Sequence, residues 1–291
     1  MYWLSKKRYM LLMLIPTLVI YIVYMVAPIA IAVGYSFTKY TGIGKAKFVG
    51  LNNYTRLFND STFIISLKNT FIIFVVVFIL LMVGSFLVAL LINKKLRFNG
   101  TAKAFIFSPA IIAPIIVGII WVFIFDPKIG LINSLLDMLG LEIFKQTWIG
   151  GDTLTPYSVA FIYFWQQLGY LATIFVAGLK MIPEEIFEAA HVDGAKSWQR
   201  LIYVTIPMMK TTMSTVAILI ITGTFKIFEV VQQLTNGGPN HMSETLVTYS
   251  YSTTFSNGEY GYGMSMATVT FIISLIITGI YSVLSREKKQ G

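Results

Sequence analysis

Not one of the 291 residues is cysteine, which removes disulfides, thiolate zinc sites and cysteine nucleophiles. Charge is almost as scarce. Asp, Glu, Lys and Arg make up 12% of the chain, against about 25% in soluble domains. Acids are the scarcer sign, 13 against 22 basic residues, for a net charge of +9. With 56% apolar residues and a mean hydropathy of +0.74, too few polar groups remain to cover a soluble surface. That excludes a soluble globular enzyme as the default, and the high hydrophobicity excludes a disordered chain. The +9 would suit nucleic acid only if it formed a patch, so its distribution decides.

The charges come in clumps. No charge occurs in 9–38, 69–93, 104–125, 153–179 or 260–285. Each gap exceeds the roughly 20 residues that cross a hydrocarbon core of about 30 Å at about 1.5 Å per residue. A sixth apolar stretch, 212–234, is interrupted by Lys226 and Glu229. The expected fold is therefore all-α, a single polytopic membrane domain. Its six transmembrane helices are expected near 10–37, 69–93, 104–125, 157–179, 212–234 and 262–285. A β-barrel is excluded, because Ile72 to Leu81 is apolar throughout rather than alternating, and such a run in lipid satisfies its backbone as a helix.

Six spans put both termini on one side. One set of connections carries 14 basic residues: Lys6, Lys7, Arg8, Lys94, Lys95, Arg97, Lys103, Lys180, Lys196, Arg200, Lys210, Arg286, Lys288 and Lys289. The other carries seven, five of them in the first external loop: Lys39, Lys45, Lys47, Arg56 and Lys68. The positive-inside rule then makes both termini cytoplasmic. Lys6-Lys7-Arg8, an apolar run and Ala30-Ile31-Ala32 imitate a signal peptide, but the run is nearly twice the usual length of about 7–15 residues. It reads as an uncleaved first span.

Three places inside the spans break the apolar pattern. Pro109 and Pro114 predict a kink or break in the third span, serving either packing or gating. Trp165, Gln166 and Gln167 form a polar-aromatic cluster in the fourth, suited to packing and interhelical hydrogen bonds or to a sugar. Lys226 and Glu229, three apart, are expected on one helix face, with Thr222, Thr224, Gln232 and Gln233 around them. Ionisable groups at that depth face a bundle interior or a watered path. They form either a substrate path or a structural ion pair.

The longest cytoplasmic connection, 181–210, is not loop-like. Pro183 with Glu184, Glu185 and Glu188 suits a helix start. Gly194 supplies a turn, and Trp198 to Ile206 forms a second amphipathic stretch before Pro207. Three glutamates in five residues argue against an anionic lipid surface and for a protein socket.

Glu188-Ala189-Ala190, with Gly194 four residues on and Ile206-Pro207 beyond, resembles the EAA motif of ABC-importer permeases. Ile182-Pro183-Glu184-Glu185 through Asp193-Gly194-Ala195 and Trp198-Gln199-Arg200 resembles the carbohydrate-uptake branch. So do Phe48-Val49-Gly50-Leu51-Asn52-Asn53-Tyr54, the spacing of Trp121, Gly130 and Asn133, and Leu234-Thr235-Asn236-Gly237-Gly238-Pro239. The likeness is to the maltose-type first permease, without its large external insertion, and it extends over almost the whole chain. It implies a coupling helix between spans 4 and 5 that docks in a cytoplasmic ATPase through Glu188, Ala189, Ala190, Asp193, Gly194 and Ala195. It also implies a sugar site on the fifth span around Thr224, Lys226, Ile227, Glu229, Val230 and Gln232. The family often has Asn or Asp where this chain has Lys226 and Glu229, and a proline is common where it has Thr211.

The implied partners are a second permease as heterodimer, two ATPase subunits, an extracytoplasmic sugar-binding protein and the bilayer of a bacterial cell membrane, with no nucleic acid. The implied reaction is import, not catalysis. The chain has no Gly-x-x-x-x-Gly-Lys-Ser/Thr loop, so ATP and Mg belong to the ATPases, and no cofactor or metal is expected in this chain. A glycerol-phosphate-type substrate is the alternative, kept open by Lys226. A secondary transporter would leave the EAA segment unexplained. A membrane enzyme is opposed by His191 and His241 falling on opposite sides and by the absence of Gly-x-Ser-x-Gly and His-Glu-x-x-His.

Overall fold

A computed structural model describes residues 7–93, 99–151, 153–239 and 241–285. Of the basic residues that orient the chain, Lys6, Lys94, Lys95, Arg97, Arg286, Lys288 and Lys289 lie outside the described residues. In chain order the elements begin with α1 (Lys7–Tyr21), a π-turn (Ile22–Val26), α2 (Ala27–Ser36), β1 (Thr38–Lys39), β2 (Lys47–Phe48), α3 (Asn52–Asn59) and α4 (Ser61–Asn93). Then come α5 (Asn99–Ile111), α6 (Pro114–Phe125), α7 (Leu131–Met138), α8 (Thr155–Lys180), α9 (Glu184–Val192) and α10 (Ser197–Arg200). A second π-turn (Leu201–Thr205) leads to α11 (Ile206–Met208), α12 (Lys210–Thr224), α13 (Glu229–Thr235), α14 (Leu246–Tyr251) and α15 (Tyr260–Ser285).

Among the described residues four helices are long and apolar enough to cross a membrane: Leu11–Ser36, Ser61–Asn93, Thr155–Lys180 and Tyr260–Ser285. Two further pairs qualify only as bent spans. Lys103–Ile111 meets Pro114–Phe125 at 106°, and Ser197–Met208 meets Lys210–Thr224 at 68°. The chain is thus a mostly helical multi-pass architecture with one short β-hairpin and four to six candidate crossings among the described residues. The stretches expected as single spans over 104–125 and 212–234 are both interrupted, and α4 starts at Ser61, well ahead of residue 69.

The chain divides into two compact units: the residues up to Phe63 with Tyr249–Phe271, and Ile64–Thr248 with the residues from Ile272 onward. In the first unit the long leading helix carries a π-turn just before Pro28. Proline has no N–H and its ring crowds the carbonyl four residues back. One wider turn, in which the Ala27 N–H reaches Ile22, absorbs the misfit. At the far end of α2, Asn53 donates to the carbonyls of Ser36 (2.8 Å) and Thr38 (2.9 Å), and Tyr54 meets the Ser36 hydroxyl at 2.6 Å. Asn53 and Tyr54 thereby satisfy groups that the end of α2 leaves open.

Asp60 ties this unit together. One carboxylate oxygen accepts the Thr62 (2.9 Å) and Phe63 (3.1 Å) N–H groups and caps α4. The other accepts the hydroxyls of Tyr249 (2.7 Å) and Tyr262 (2.6 Å). Beside it Arg56 forks onto Glu259 and stacks 3.8 Å over the Tyr262 ring.

In the second unit α5 crosses α8 at Gly169, where a Cβ would collide with the Ile106 carbonyl, and α6 crosses α13 at Gly118, against Gln233. Small residues at crossings let backbones approach where no hydrophobic force between helices exists. The loop after α6 closes on buried Asn133, which donates to the Pro127 and Gln146 carbonyls (3.0 and 2.9 Å) and accepts from the Trp148 indole (2.8 Å). The loop after α13 is fastened to α4, since Asn69 donates to the carbonyls of Met242 (2.8 Å) and Glu244 (3.1 Å) and the Thr70 hydroxyl accepts the Leu246 N–H (3.0 Å).

Burial opposes ionisation of Asp60, but the hydrogen bonds from Tyr262, Tyr249 and two backbone N–H groups outweigh it and hold its carboxyl below the ordinary value. A depressed folded pKa means stability that is complete above the unfolded value of about 3.9 and is lost as pH falls through the folded one. The melting temperature of the purified protein should therefore drop as the pH is taken below about 4. Asp60→Asn should be less stable at neutral pH by about 1–3 kcal/mol, with a shallower acid slope. An unchanged slope in thermal melts of the variant would assign the acid sensitivity to another group.

Candidate functional site

The break in the third span follows from Pro114. Ala113, the residue before it, is held extended (φ −58°, ψ 136°) because the proline ring excludes the helical conformation there. Pro114 then opens α6 at a position where a missing N–H costs nothing. Pro109 sits inside α5 without ending it. The interruption strands the Ile112 carbonyl, which buried Gln166 of α8 satisfies with a 3.0 Å hydrogen bond. The three residues of the polar-aromatic cluster therefore have separate tasks. Trp165 packs edge-on to Trp121 (5.5 Å), Gln166 satisfies the break, and Gln167 faces a cavity.

The break in the fifth span contains neither proline nor glycine. α12 ends at Thr224, whose hydroxyl turns back to the Ile220 carbonyl (2.7 Å). Phe225 is buried against Phe71 and Phe74 (6.2 and 5.4 Å between ring centres). Phe228 (φ −128°, ψ −61°) leaves helical geometry, and α13 starts at Glu229. Lys226 and Glu229 consequently do not share one helix face, and no ion pair within 4 Å joins them. Each instead complements a helix end. The cation follows the C-terminus of α12 and the acid opens α13, the favourable sense for both dipoles.

At this break lies a cavity of about 220 Å3. Tyr163, Gln167 and Tyr170 of α8, at spacings of four and three, form one wall, and Thr222, Gly223 and Lys226 form the other. Two phenols, an amide, a hydroxyl and an ammonium offer directed donors and acceptors, and the aromatic faces offer flat apolar contact. Of the fifth-span residues expected to line a path, Lys226 lines this cavity. Thr224, Ile227 and Val230 turn into the core at 3%, 5% and 2% exposure. Glu229 is exposed, and Gln232 hydrogen-bonds Asn236. Tyr163 and Tyr170 went unnoticed in the sequence, although their spacing from Gln167 marks one helix face.

The segment after α8 begins with Pro183 one residue ahead of α9, not inside its first turn. α9 opens with Glu184 and Glu185, so the acids sit at the positive helix end. It closes in a Schellman turn: the Ala195 N–H reaches the Ala190 carbonyl and the Gly194 N–H that of His191, both at 3.0 Å. Gly194 takes φ +75°, which a side chain disfavours. Glu184, Glu185, Glu188, Ala189, Asp193 and Gly194 are exposed, Ala190 and Ala195 half-buried, and Val192 is 86% exposed. Among the described residues no group of three His, Asp or Glu side chains is placed to hold a metal ion.

Residues 93–290 match the family described as the binding-protein-dependent transport system inner membrane component. The probable ABC transporter permease protein YurN of Bacillus subtilis (strain 168) is 32% identical over 270 residues, 92% of each chain. The arabinooligosaccharides transport system permease protein AraP of the same organism is 32% identical over 98% of this chain and 91% of its own. In fold, a chain of a bacterial alginate ABC transporter, solved with a periplasmic protein bound to alginate pentasaccharide, superposes with a TM-score of 0.84 at 20% identity, covering 97% of this chain and 96% of that one.

Gly194→Ala should cost about 1 kcal/mol by forcing a Cβ into the left-handed region. Amide exchange at Gly194 and Ala195 should quicken about fivefold, with Gly194→Asn intermediate. Unchanged exchange in the alanine variant would show that the turn does not depend on glycine.

Proposed function

The chain belongs to the family of binding-protein-dependent transport system inner membrane components, and from that membership we propose that it is one of two permease subunits of an ATP-driven importer of a sugar or oligosaccharide. It would lie in a bacterial cell membrane with six spans and both termini cytoplasmic, the two bent helix pairs each serving as one crossing. The observation that carries the substrate side is the cavity of Tyr163, Gln167, Tyr170, Thr222 and Lys226 at the break in the fifth span. A hydroxyl-rich ring needs many directed hydrogen bonds and a flat apolar face, and this wall offers both. At about 220 Å3 the cavity is smaller than the roughly 300 Å3 and upward of a complete small-molecule site. A wall supplied by the second permease completes it.

The exposed acidic helix α9 is the proposed coupling element. Glu188 supplies its charged contact to an ATPase groove, Ala189 and Ala190 allow close approach, and the Asp193-Gly194-Ala195 turn sets its angle to the following helix. Closure of the ATPases on ATP moves α9, and the bundle alternates access to the central site. An external binding protein delivers the substrate.

A glycerol-phosphate-type substrate is the second reading. It is favoured by Lys226, the one charged residue that lines the cavity among the described residues.

Glu188→Lys should abolish uptake in cells while leaving the protein inserted and folded, because it reverses the charge presented to the ATPase. Uptake at the normal rate would remove α9 from the coupling path. Lys226→Ala should change the apparent affinity for substrate by about fivefold or more. It should also shift competition between neutral sugars and sugar phosphates. A variant with normal uptake kinetics and only a lower melting temperature would give Lys226 a structural task instead.

A further inference from the structure

An apolar cleft of about 310 Å3 opens in the first unit between α2 and the start of α15. Pro28, Ala32 and Tyr35 of α2 line it, with Tyr40 of the β-hairpin and Tyr260 and Met264 of α15. Pro28 lies eight residues before Ser36, the last residue of α2, and so about 12 Å along the helix axis. The cleft therefore reaches from the end of a candidate membrane span well into its apolar length. Three tyrosines collar its upper part. Tyr35 stacks on Tyr40 (5.0 Å) and Tyr40 meets the edge of Tyr260 (5.9 Å). Tyrosines so clustered mark the level where hydrocarbon gives way to headgroups.

Directly above the collar the chain does something costly. The hairpin register sets Lys39 opposite Lys47, and like charges facing one another across a ladder repel. Both are exposed, and neither has a carboxylate within 4 Å among the described residues. No acid occurs anywhere in residues 37–59. The nearby Glu259 is already committed to Arg56. Tyr40, the neighbour of Lys39, lines both this cleft and the adjoining polar one that Lys39 helps to form. Lys39 thus lines a polar cleft that adjoins the apolar groove at Tyr40, with Lys47 paired opposite it on the hairpin.

We propose that this place binds one anionic phospholipid, its headgroup phosphate held between Lys39 and Lys47 and one acyl chain lying in the cleft. The phosphate relieves the Lys39–Lys47 repulsion. The chain fills the space between α2 and α15, and the tyrosine hydroxyls meet the ester region between them. The acidic surface of a soluble partner could satisfy the lysines, but no such partner reaches a cleft at hydrocarbon depth. The depth of the groove therefore favours the lipid. This site is separate from the proposed substrate cavity and does not depend on which substrate is carried.

The test uses the transporter with its partner subunits in nanodiscs of equal parts phosphatidylglycerol and phosphatidylcholine, then native mass spectrometry of the lipid retained after mild detergent release. One phosphatidylglycerol per chain should be kept. Its preference over phosphatidylcholine should be about 25-fold, from about fivefold per lysine. Lys39→Gln with Lys47→Gln should erase the preference, Lys39→Arg with Lys47→Arg should keep it, and Ala32→Trp should expel lipid of either kind. Equal retention of the two lipids, or a preference that survives the double glutamine variant, overturns the proposal. Complete displacement by millimolar glycerol phosphate would show that the phosphate alone is recognised, which overturns the acyl groove. If the double glutamine variant keeps its lipid but loses stimulation of the ATPases by the loaded binding protein, the hairpin is a protein-docking surface and the two lysines hold no headgroup, which overturns the proposal.

Discussion

A membrane interior offers no water to a backbone N–H or C=O, and an unsatisfied group there costs several kcal/mol. Everything unusual in this chain is arranged around that constraint. An unbroken helix meets it without help, and four of the candidate crossings are unbroken. The two others are interrupted, and each interruption leaves backbone groups to be satisfied outside the regular ladder. At the first, Gln166 reaches across from α8 to the Ile112 carbonyl. The second bends at Met209, whose N–H reaches the Thr205 carbonyl (3.0 Å), and the chain breaks again after α12, where tight turns from Lys226 to Gly223 (3.1 Å) and from Ile227 to Thr224 (3.2 Å) tie off the helix end. The buried glutamine thus answers the break that Pro114 makes, two helices before its own.

The same constraint explains why charge appears at one break and not the other. The first break is sealed by neutral groups. The second ends one helix and starts another within a few residues, so a negative helix end and a positive one lie close together. Lys226 and Glu229 match those ends in sign. Lys226 thereby has a structural reason to be where it is and also lines the cavity. The two tasks are compatible, because the interaction with the helix end falls off within a turn while the flexible side chain reaches further.

Much of this could be read from residues alone. Gaps without charge located the apolar segments because lipid excludes charge along a whole run. Pro114 marked a break, since proline acts on its own turn. Glu184, Glu185 and Gly194 marked the ends of α9 because capping is local too. The interruption at Phe225–Phe228 was not legible. No breaker stands there, and the contacts of Phe225 at the break are with Phe71 and Phe74, residues about 150 positions away. The division of labour within Trp165-Gln166-Gln167 was hidden for a geometric reason: consecutive residues on a helix point about 100° apart, so adjacency in sequence is dispersal in space. The Asp60 cluster gave no signal either, as its tyrosines stand 189 and 202 residues away.

The proposed coupling also has a mechanical basis in chain order. α8 carries Tyr163, Gln167 and Tyr170 of the cavity and ends at Lys180, four residues before α9 begins. α12 leads from the bend at Met209 to Lys226 on the opposite wall. The acidic helix is thus the link between the two helices that wall the cavity. Between their near ends the helices touch at Gly178 and Thr212, where even a methyl group would be crowded. In the proposed coupling a contact that close would be the point about which the two helices pivot. A tilt imposed on α9 at one side of the crossing must change the spacing of Tyr170 and Lys226 at the other. The distance from Tyr170 to Lys180 is ten residues, about 15 Å of helix. Over that length a tilt of a few degrees moves a side chain by about an ångström, enough to break a hydrogen bond whose tolerance is a few tenths.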